Sequence, residues 1–388
     1  MIESQMGLRE NDSKKVNMLL TLVLWCILCT VSMTAMLVVA ADKTIIVADT
    51  TADQDVSITE KMHGSTDREQ ILELQTDSSG KNQLCIPLEK GTKAEQVTVE
   101  NRYVEQELWI YIKDAEEEFY RQNAVSGDIS TFGECRCEAK EEGLLIKLRT
   151  NTVWEYYSTI EDSCLKITFF DPREIFTQIV VLDPVGLPDS METVDLETLT
   201  KTLESMDTSE DGRASGMLTG SRTEQDVALQ VARLVQKKVS RTDLKIYLTR
   251  TEETAILLEK SLRLVEAVKP DLFLQIGVSQ EPENPEQYGI LAYYNDEYYI
   301  PDFGNVEWAD TVTKKVTVAA SDRALGLFPA EEDSILRKLQ MPAAGICLGY
   351  CTNAQENALL AQESYQEKLA EGIAEAILEV YTNTYLNK

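Results

Sequence analysis

The pattern of apolar and polar positions changes character twice along the chain. Residues 17–41 (VNMLLTLVLWCILCTVSMTAMLVVA) hold no charged residue and are long enough to cross a bilayer as a helix. From about 71 to 171, short runs alternate apolar and polar positions: ILELQT, QLCIPL, QVTVENRYV, ELWIYIK, GLLIKLR and CLKITFF, separated by Gly, Asn, Asp and Ser clusters. Regularly spaced runs of period two predict an all-β sandwich. After Asp171-Pro172 strand-like runs alternate with helical stripes. The strands are expected at Gln178 to Leu182, Leu244 to Leu248, Leu272 to Val278, Gly289 to Tyr294 and Gly345 to Tyr350. A helix over about 224–238 places Val227, Val231, Leu234 and Val235 on one face, and a second over 257–268 groups Leu258, Leu262 and Val265. Two more are expected at 305–319 and 365–381, the last burying Leu369, Ile373, Ala376, Ile377 and Val380. This alternation predicts an α/β domain with a mixed, mostly parallel sheet and helices on both faces.

The expected organisation is therefore a cytoplasmic N-terminus (1–16), a transmembrane helix (17–41), a polar stalk (42–70) with one strand near Thr44 to Ala48, a β-sandwich (71–173) and an α/β domain (174–388). Lys14 and Lys15 precede the apolar run, which favours a cytoplasmic N-terminus and places the large domains outside the plasma membrane. The alternative is a signal peptide cleaved after Val39-Ala40-Ala41, but the run is longer than a usual signal core, so a signal-anchor is favoured. Residues 189–223, rich in Asp, Glu, Ser and Thr, read as a long acidic loop, with or without a short helix near 192–206.

Composition narrows the function. The formal charge of −29 repels nucleic acid and anionic lipid surfaces, and otherwise keeps the outer part soluble. Outside the apolar span, no C-x-x-C pair occurs and no histidine lies near the cysteines, so a structural zinc site has no support. A disulfide among Cys85, Cys135, Cys137 and Cys164 suits an exported domain, with the pairing open, whereas Cys347 and Cys351 lie too far apart on extended chain to be bridged. Tyr103, Trp109, Tyr111, Trp154, Tyr156 and Tyr157 are candidates for a sugar-binding face, although cross-strand packing is the commoner use of such residues.

The candidate chemistry centres on IVVLDPVGLPDS, residues 179–190, where a buried strand ends at Asp183-Pro184 and hands over to a small-residue turn. Such a loop lies at the C-terminal edge of a sheet, where α/β folds place their sites. Yet Val185, Gly186, Leu187 and Pro188 can neither ligate a metal nor move a proton.

Several motifs follow one another in the second half of the chain: Asp183-Pro184 after a strand, Thr223-Glu224-Gln225-Asp226-Val227 opening a helix, Leu248-Thr249-Arg250, Asp271-Leu272-Phe273, and the final MPAAGICLGYCTNAQENALLAQESYQEKLAEGIAEAI. In that order the region from about 176 to 385 resembles the zinc-dependent N-acetylmuramoyl-L-alanine amidases of peptidoglycan catabolism, and the β-rich segment before it resembles the AMIN domain that accompanies such enzymes. In the family two histidines and a glutamate hold zinc, and a second glutamate acts as base on the metal-bound water. Carried onto this chain, the resemblance places the first histidine position at Gly186, the ligand glutamate at Glu224, the second histidine position at Gly277 and the base position at Cys347. An arginine usual in the second helix falls at Ser261, or at Arg263 if the register slips. The single histidine of the chain, His63, precedes the sandwich and cannot supply two ligands in any register. Glu224 is the one ligand position retained, so zinc is not expected, nor is Cys347 expected to act as a nucleophile without a histidine. The resulting expectation is a pseudoenzyme: a membrane-anchored module that binds peptidoglycan, or a divisome or cell-wall protein, without cutting. The alternatives are an active amidase that hydrolyses the muramoyl–L-alanine bond, and a structural or dimerisation domain.

Overall fold

A computed structural model describes residues 45–46, 65–72, 74–76, 82–127, 132–185, 226–239, 241–253 and 257–382. Residues 17–41 lie outside this set, as does the stretch 192–206. Among the described residues no helix is long and apolar enough to cross a membrane.

The β-rich half is a sandwich. Its strands are β1 (Ile45–Ile46), β2 (Ser65–Ile71), β3 (Leu74–Thr76), β4 (Gln83–Pro87), β5 (Val97–Arg102), β6 (Glu107–Lys113), β7 (Val125–Gly127), β8 (Phe132–Lys140), β9 (Gly143–Thr150), β10 (Glu155–Glu161) and β11 (Cys164–Phe170). One sheet has the order β1-β10-β11-β4-β7-β3 and the other β2-β8-β9-β6-β5. Alternate residues of both sheets, among them Leu84, Ile86, Val99, Ile110, Ile146, Leu165 and Ile167, share one core. Cys85 and Cys164 bridge the neighbouring strands β4 and β11, with Cα atoms 6.0 Å apart. Cys347 and Cys351 are not joined to each other. The sandwich also extends into the stretch expected to be a polar stalk. β1 falls at the strand expected near Thr44 to Ala48 and pairs with β10, while β2 pairs with β8, so residues 65–70 are sheet rather than tether. A short helix, α1 (Glu117–Gln122), buries Tyr120 against the same core.

A one-turn helix, α2 (Pro172–Ile175), capped by the Asp171 carboxylate on the Arg173 N–H, leads into the second half. There β12 (Gln178–Pro184), α3 (Val227–Lys238), β13 (Leu244–Leu248), α4 (Leu258–Val268), β14 (Leu272–Ser279), β15 (Ile290–Tyr294), α5 (Asn305–Ala320), β16 (Ala324–Pro329), β17 (Ala343–Tyr350), α6 (Ala354–Leu360) and α7 (Glu363–Thr382) follow. The sheet order is β13-β12-β14-β17-β15-β16. β13, β12, β14 and β17 run parallel, while β15 and β16 run against them. Both faces are covered, which explains why β12 and β17 are buried at every position rather than alternating. On one face α3, α5 and α7 pack through Val231, Val235, Trp308, Val312, Leu369, Ile373 and Ile377. α5 and α7 approach closely at Gly372, where a Cβ would lie 2.5 Å from the Cα of Val316. On the opposite face lie α4, the turn Ile335–Lys338 and two sandwich residues, Tyr103 and Val153.

The aromatic residues settle mostly into packing. Tyr103, Tyr111 and Tyr156 are buried, Trp109 and Trp154 are partly buried, and Tyr157 is exposed.

Candidate functional site

The C-terminal ends of β12, β14 and β17 meet at one edge of the sheet, and the sequence positions singled out above fall there as far as they are described. Gly277 and Cys347 are direct cross-strand partners on β14 and β17. Gly186 and Glu224 lie outside the described residues, but their flanks are well placed. The Val185 N–H donates to the carbonyl of Ile276, the residue before Gly277, at 2.8 Å. Asp226 caps α3 by accepting the Leu229 N–H at 3.1 Å.

Arg250 joins these flanks. It is buried at 2% exposure, and all three of its nitrogens are engaged. Nε donates to the Pro184 carbonyl (2.7 Å), Nη2 to the Val185 carbonyl (3.1 Å) and Nη1 to the Glu252 carbonyl (3.0 Å). Nη1 also pairs with the Asp226 carboxylate at 2.6 Å. A planar guanidinium suits this role because its donors point in fixed, divergent directions. The motif Leu248-Thr249-Arg250 was visible in the sequence, but nothing in the spacing showed that its arginine ties the turn after β12 to the start of α3.

Asp183 and Cys347 are both held away from chemistry. The Asp183 carboxylate accepts from the Thr249 hydroxyl (2.6 Å) and from Gln275 Nε2 (2.9 Å). Burial pushes its pKa above the usual carboxylate range, against the opposing pull of Thr249, Gln275, Arg250 and Ser261. With its oxygens so used, Asp183 braces the strand end. Cys347 is wholly buried in an apolar cluster with Leu291, Tyr293 and Tyr350, and its thiol donates to the Gly349 carbonyl at 3.3 Å. Burial raises that thiol to about 12, so it stays protonated at neutral pH and lacks the thiolate a nucleophile or ligand needs. Ser261 is buried beside Asp183, whereas Arg263 is exposed and turns back to the Glu259 carbonyl of its own helix. Arg263 is thus directed away from the edge that Ser261 faces.

One feature of this edge escaped the sequence altogether. Glu356, on α6, is 3% exposed and links two strand ends. Its Oε1 accepts the Gly289 N–H before β15 at 2.9 Å, and its Oε2 accepts the Tyr350 N–H at the end of β17 at 2.6 Å. Gly349, in the left-handed region at φ +144°, makes room, since a Cβ there would sit 2.7 Å from the Glu356 carboxyl carbon. Burial, the largest influence, raises the Glu356 carboxyl to about 7. Above it opens a cavity of about 450 Å³ lined by Glu286, Tyr288, Asp322, Asn353 and Tyr365, with Glu356 in its wall.

Residues 206–379 match the family model described as N-acetylmuramoyl-L-alanine amidase. The C-terminal domain is amidase-like over those residues. Solved structures similar to it include the N-acetylmuramoyl-L-alanine amidase from Clostridium difficile 630, at 24% identity over 53% of this chain and 97% of that one, with a TM-score of 0.42. The amidase AmiC2 of Nostoc punctiforme is 23% identical over 53% and 97% of the two chains, TM-score 0.41. The catalytic domain of CwlV from Bacillus (Paenibacillus) polymyxa var. colistinus is 21% identical over 53% and 99%, TM-score 0.40. No curated protein matches the chain.

The amidase family is zinc-dependent, so the donors present can be weighed against that metal. Glycine offers no side-chain donor at 186 or 277, and the Cys347 thiol is buried and protonated. Among the described residues no group of three or more His, Cys, Asp or Glu is placed to hold an ion. A catalytic zinc needs three protein ligands around an open position, and these residues do not fit it.

Proposed function

We propose that this protein is a membrane-anchored, wall-facing module whose amidase-family domain binds peptidoglycan, or a protein partner at the cell wall, without hydrolysing the muramoyl–L-alanine bond. The observation that carries the reading is the pairing of Gly277 with Cys347 in the C-terminal halves of β14 and β17. These two adjacent positions should present a metal ligand and a base, but they offer a hydrogen atom and a thiol sunk among tyrosines. Gly186 and the solitary His63 add to it from sequence. The buried network of Arg250, Asp226 and Asp183 supports a sheet edge that keeps its shape. The uncharged run 17–41 behind Lys14-Lys15 supports the anchor, and the Cys85–Cys164 bridge agrees with an oxidising, exported setting.

Two measurements on the purified chain test this together. Metal analysis is expected to find no stoichiometric zinc, and incubation with peptidoglycan is expected to release no L-alanine N-termini while the protein cosediments with the wall. One tightly bound zinc per chain with amide release sensitive to Glu224→Ala establishes the active amidase instead. Protein that stays in the supernatant, while sedimenting as a dimer, establishes the structural reading.

A further inference from the structure

The sandwich does more than sit beside the amidase-family domain. Tyr103, in the turn between β5 and β6, is 4% exposed and belongs to the α/β core with Ile179, Val181, Tyr247 and Phe273, not to the core of its own sandwich. Its hydroxyl accepts the Leu248 N–H at 3.0 Å, at the last residue of the edge strand β13, and its ring stands edge-on to Tyr247 at 5.2 Å. Tyr247 in turn donates its hydroxyl to Glu155 of β10 at 2.5 Å. Next to Tyr103, Arg102 pairs with the Glu252 carboxylate at 2.5 Å and is held in place by Glu100, Glu105 and the Trp109 ring.

Residues 248–252 are therefore gripped at both ends by the sandwich. Between the two grips lie Thr249, bonded to Asp183, and Arg250, bonded to the Pro184 and Val185 carbonyls and to Asp226. The outer grip and the inner contacts share five consecutive residues, too short a stretch to move one end without the other. We infer that Arg102 and Tyr103 are positioning residues for this sheet edge: by clamping 248–252 from outside, the sandwich sets where Arg250 holds the end of β12 and the start of α3. The β-sandwich is then a wall of the site, not a tethered module. This holds whether or not the domain takes peptidoglycan, because it concerns the ligand-free chain.

A contiguous network becomes evidence of coupling only when a change at one end is felt at the other. The test is amide hydrogen exchange on the full chain, comparing wild type with Tyr103→Phe and Arg102→Ala. Three amides report: Leu248 at the clamp, Val185 with its bond to Ile276, and Leu229 with its bond to Asp226. Loss of the Tyr103 acceptor is expected to speed exchange about tenfold at Leu248 and severalfold at Val185 and Leu229, with Ile373 in α7 unchanged. Arg102→Ala should act on the same three, and Arg102→Lys, which keeps a cation opposite Glu252, should restore most protection at Val185. Acceleration confined to Leu248 overturns the proposal, and so does an equal acceleration at Ile373, which would mean only global destabilisation. If Arg102→Ala does not fold, Tyr103→Phe alone decides, since it removes one oxygen and keeps the ring.

Discussion

Two neighbourhoods at the same edge of the sheet contrast sharply. Around Arg250 a buried cation, two carboxylates and several carbonyls are mutually satisfied, at distances of 2.6–3.1 Å. On the neighbouring strands, the C-terminal halves of β14 and β17 carry a glycine and a buried thiol inside an apolar cluster. The first neighbourhood positions a site, and the second would have to perform its chemistry. Their separation shows that the two are under different physical constraints. Removing one partner from a buried polar network leaves the others unpaired, which costs stability whatever the function. Replacing a ligand or base on a strand by a small, uncharged residue leaves no such debt.

The largest expected effect lies in the first neighbourhood. Arg250→Ala strands the Asp226 carboxylate and three carbonyls, and should lower the unfolding free energy by about 3–5 kcal/mol in a denaturant titration. A loss below about 1 kcal/mol would break the comparison.

Glu356 lies beyond the second neighbourhood, joining the end of β17 to the start of β15, and sharpens the contrast through pH. Its folded pKa is raised by burial from the ordinary 4.5 to about 7. A raised folded value means that the stability it contributes is fully present below about 4.5 and is lost as pH rises through about 7. The stability of wild type minus that of Glu356→Gln should therefore fall between pH 4.5 and 8, measured by urea unfolding at each pH. A flat difference would mean that the two amide donors, Gly289 and Tyr350, hold the carboxylate ionised throughout.

The smallest effect is expected in the second neighbourhood. Cys347→Ala removes one sulfur from a packed cluster and should cost only ~1 kcal/mol, with wall cosedimentation unchanged. Loss of cosedimentation without loss of stability would give the thiol a role in binding that its burial argues against.

Much of the fold was legible because periodicity reports burial directly. The helical stripes through Val231 and Val235, and through Leu369, Ile373 and Ile377, face the core as read. Strands at 107–113, 143–149 and 164–170 also fall where alternation placed them. Other elements gave no such signal. β2 is STDREQI and β10 is EYYSTIE, too polar to be told from loop, and they are strands because β8 and β11 offer them hydrogen-bonding partners. β8 alternates through Cys135 and Cys137, buried residues that read from sequence as disulfide candidates. β16 and α6 are short and half exposed, so little apolar pattern marks them.

Sequence by itself determined what cannot be present. One histidine in the whole chain rules out a site needing two, in any fold, because composition does not depend on register. It also determined the α/β class of the second half, since a period switch survives without knowing contacts. Only the tertiary structure decided that Gly277 meets Cys347, that Arg250 binds the turn after β12 to α3, and that Tyr103 leaves its own sandwich to cap the Leu248 N–H 145 residues away. Each is a pairing between distant residues whose local sequence is ordinary, and only packing brings the partners within reach of a hydrogen bond.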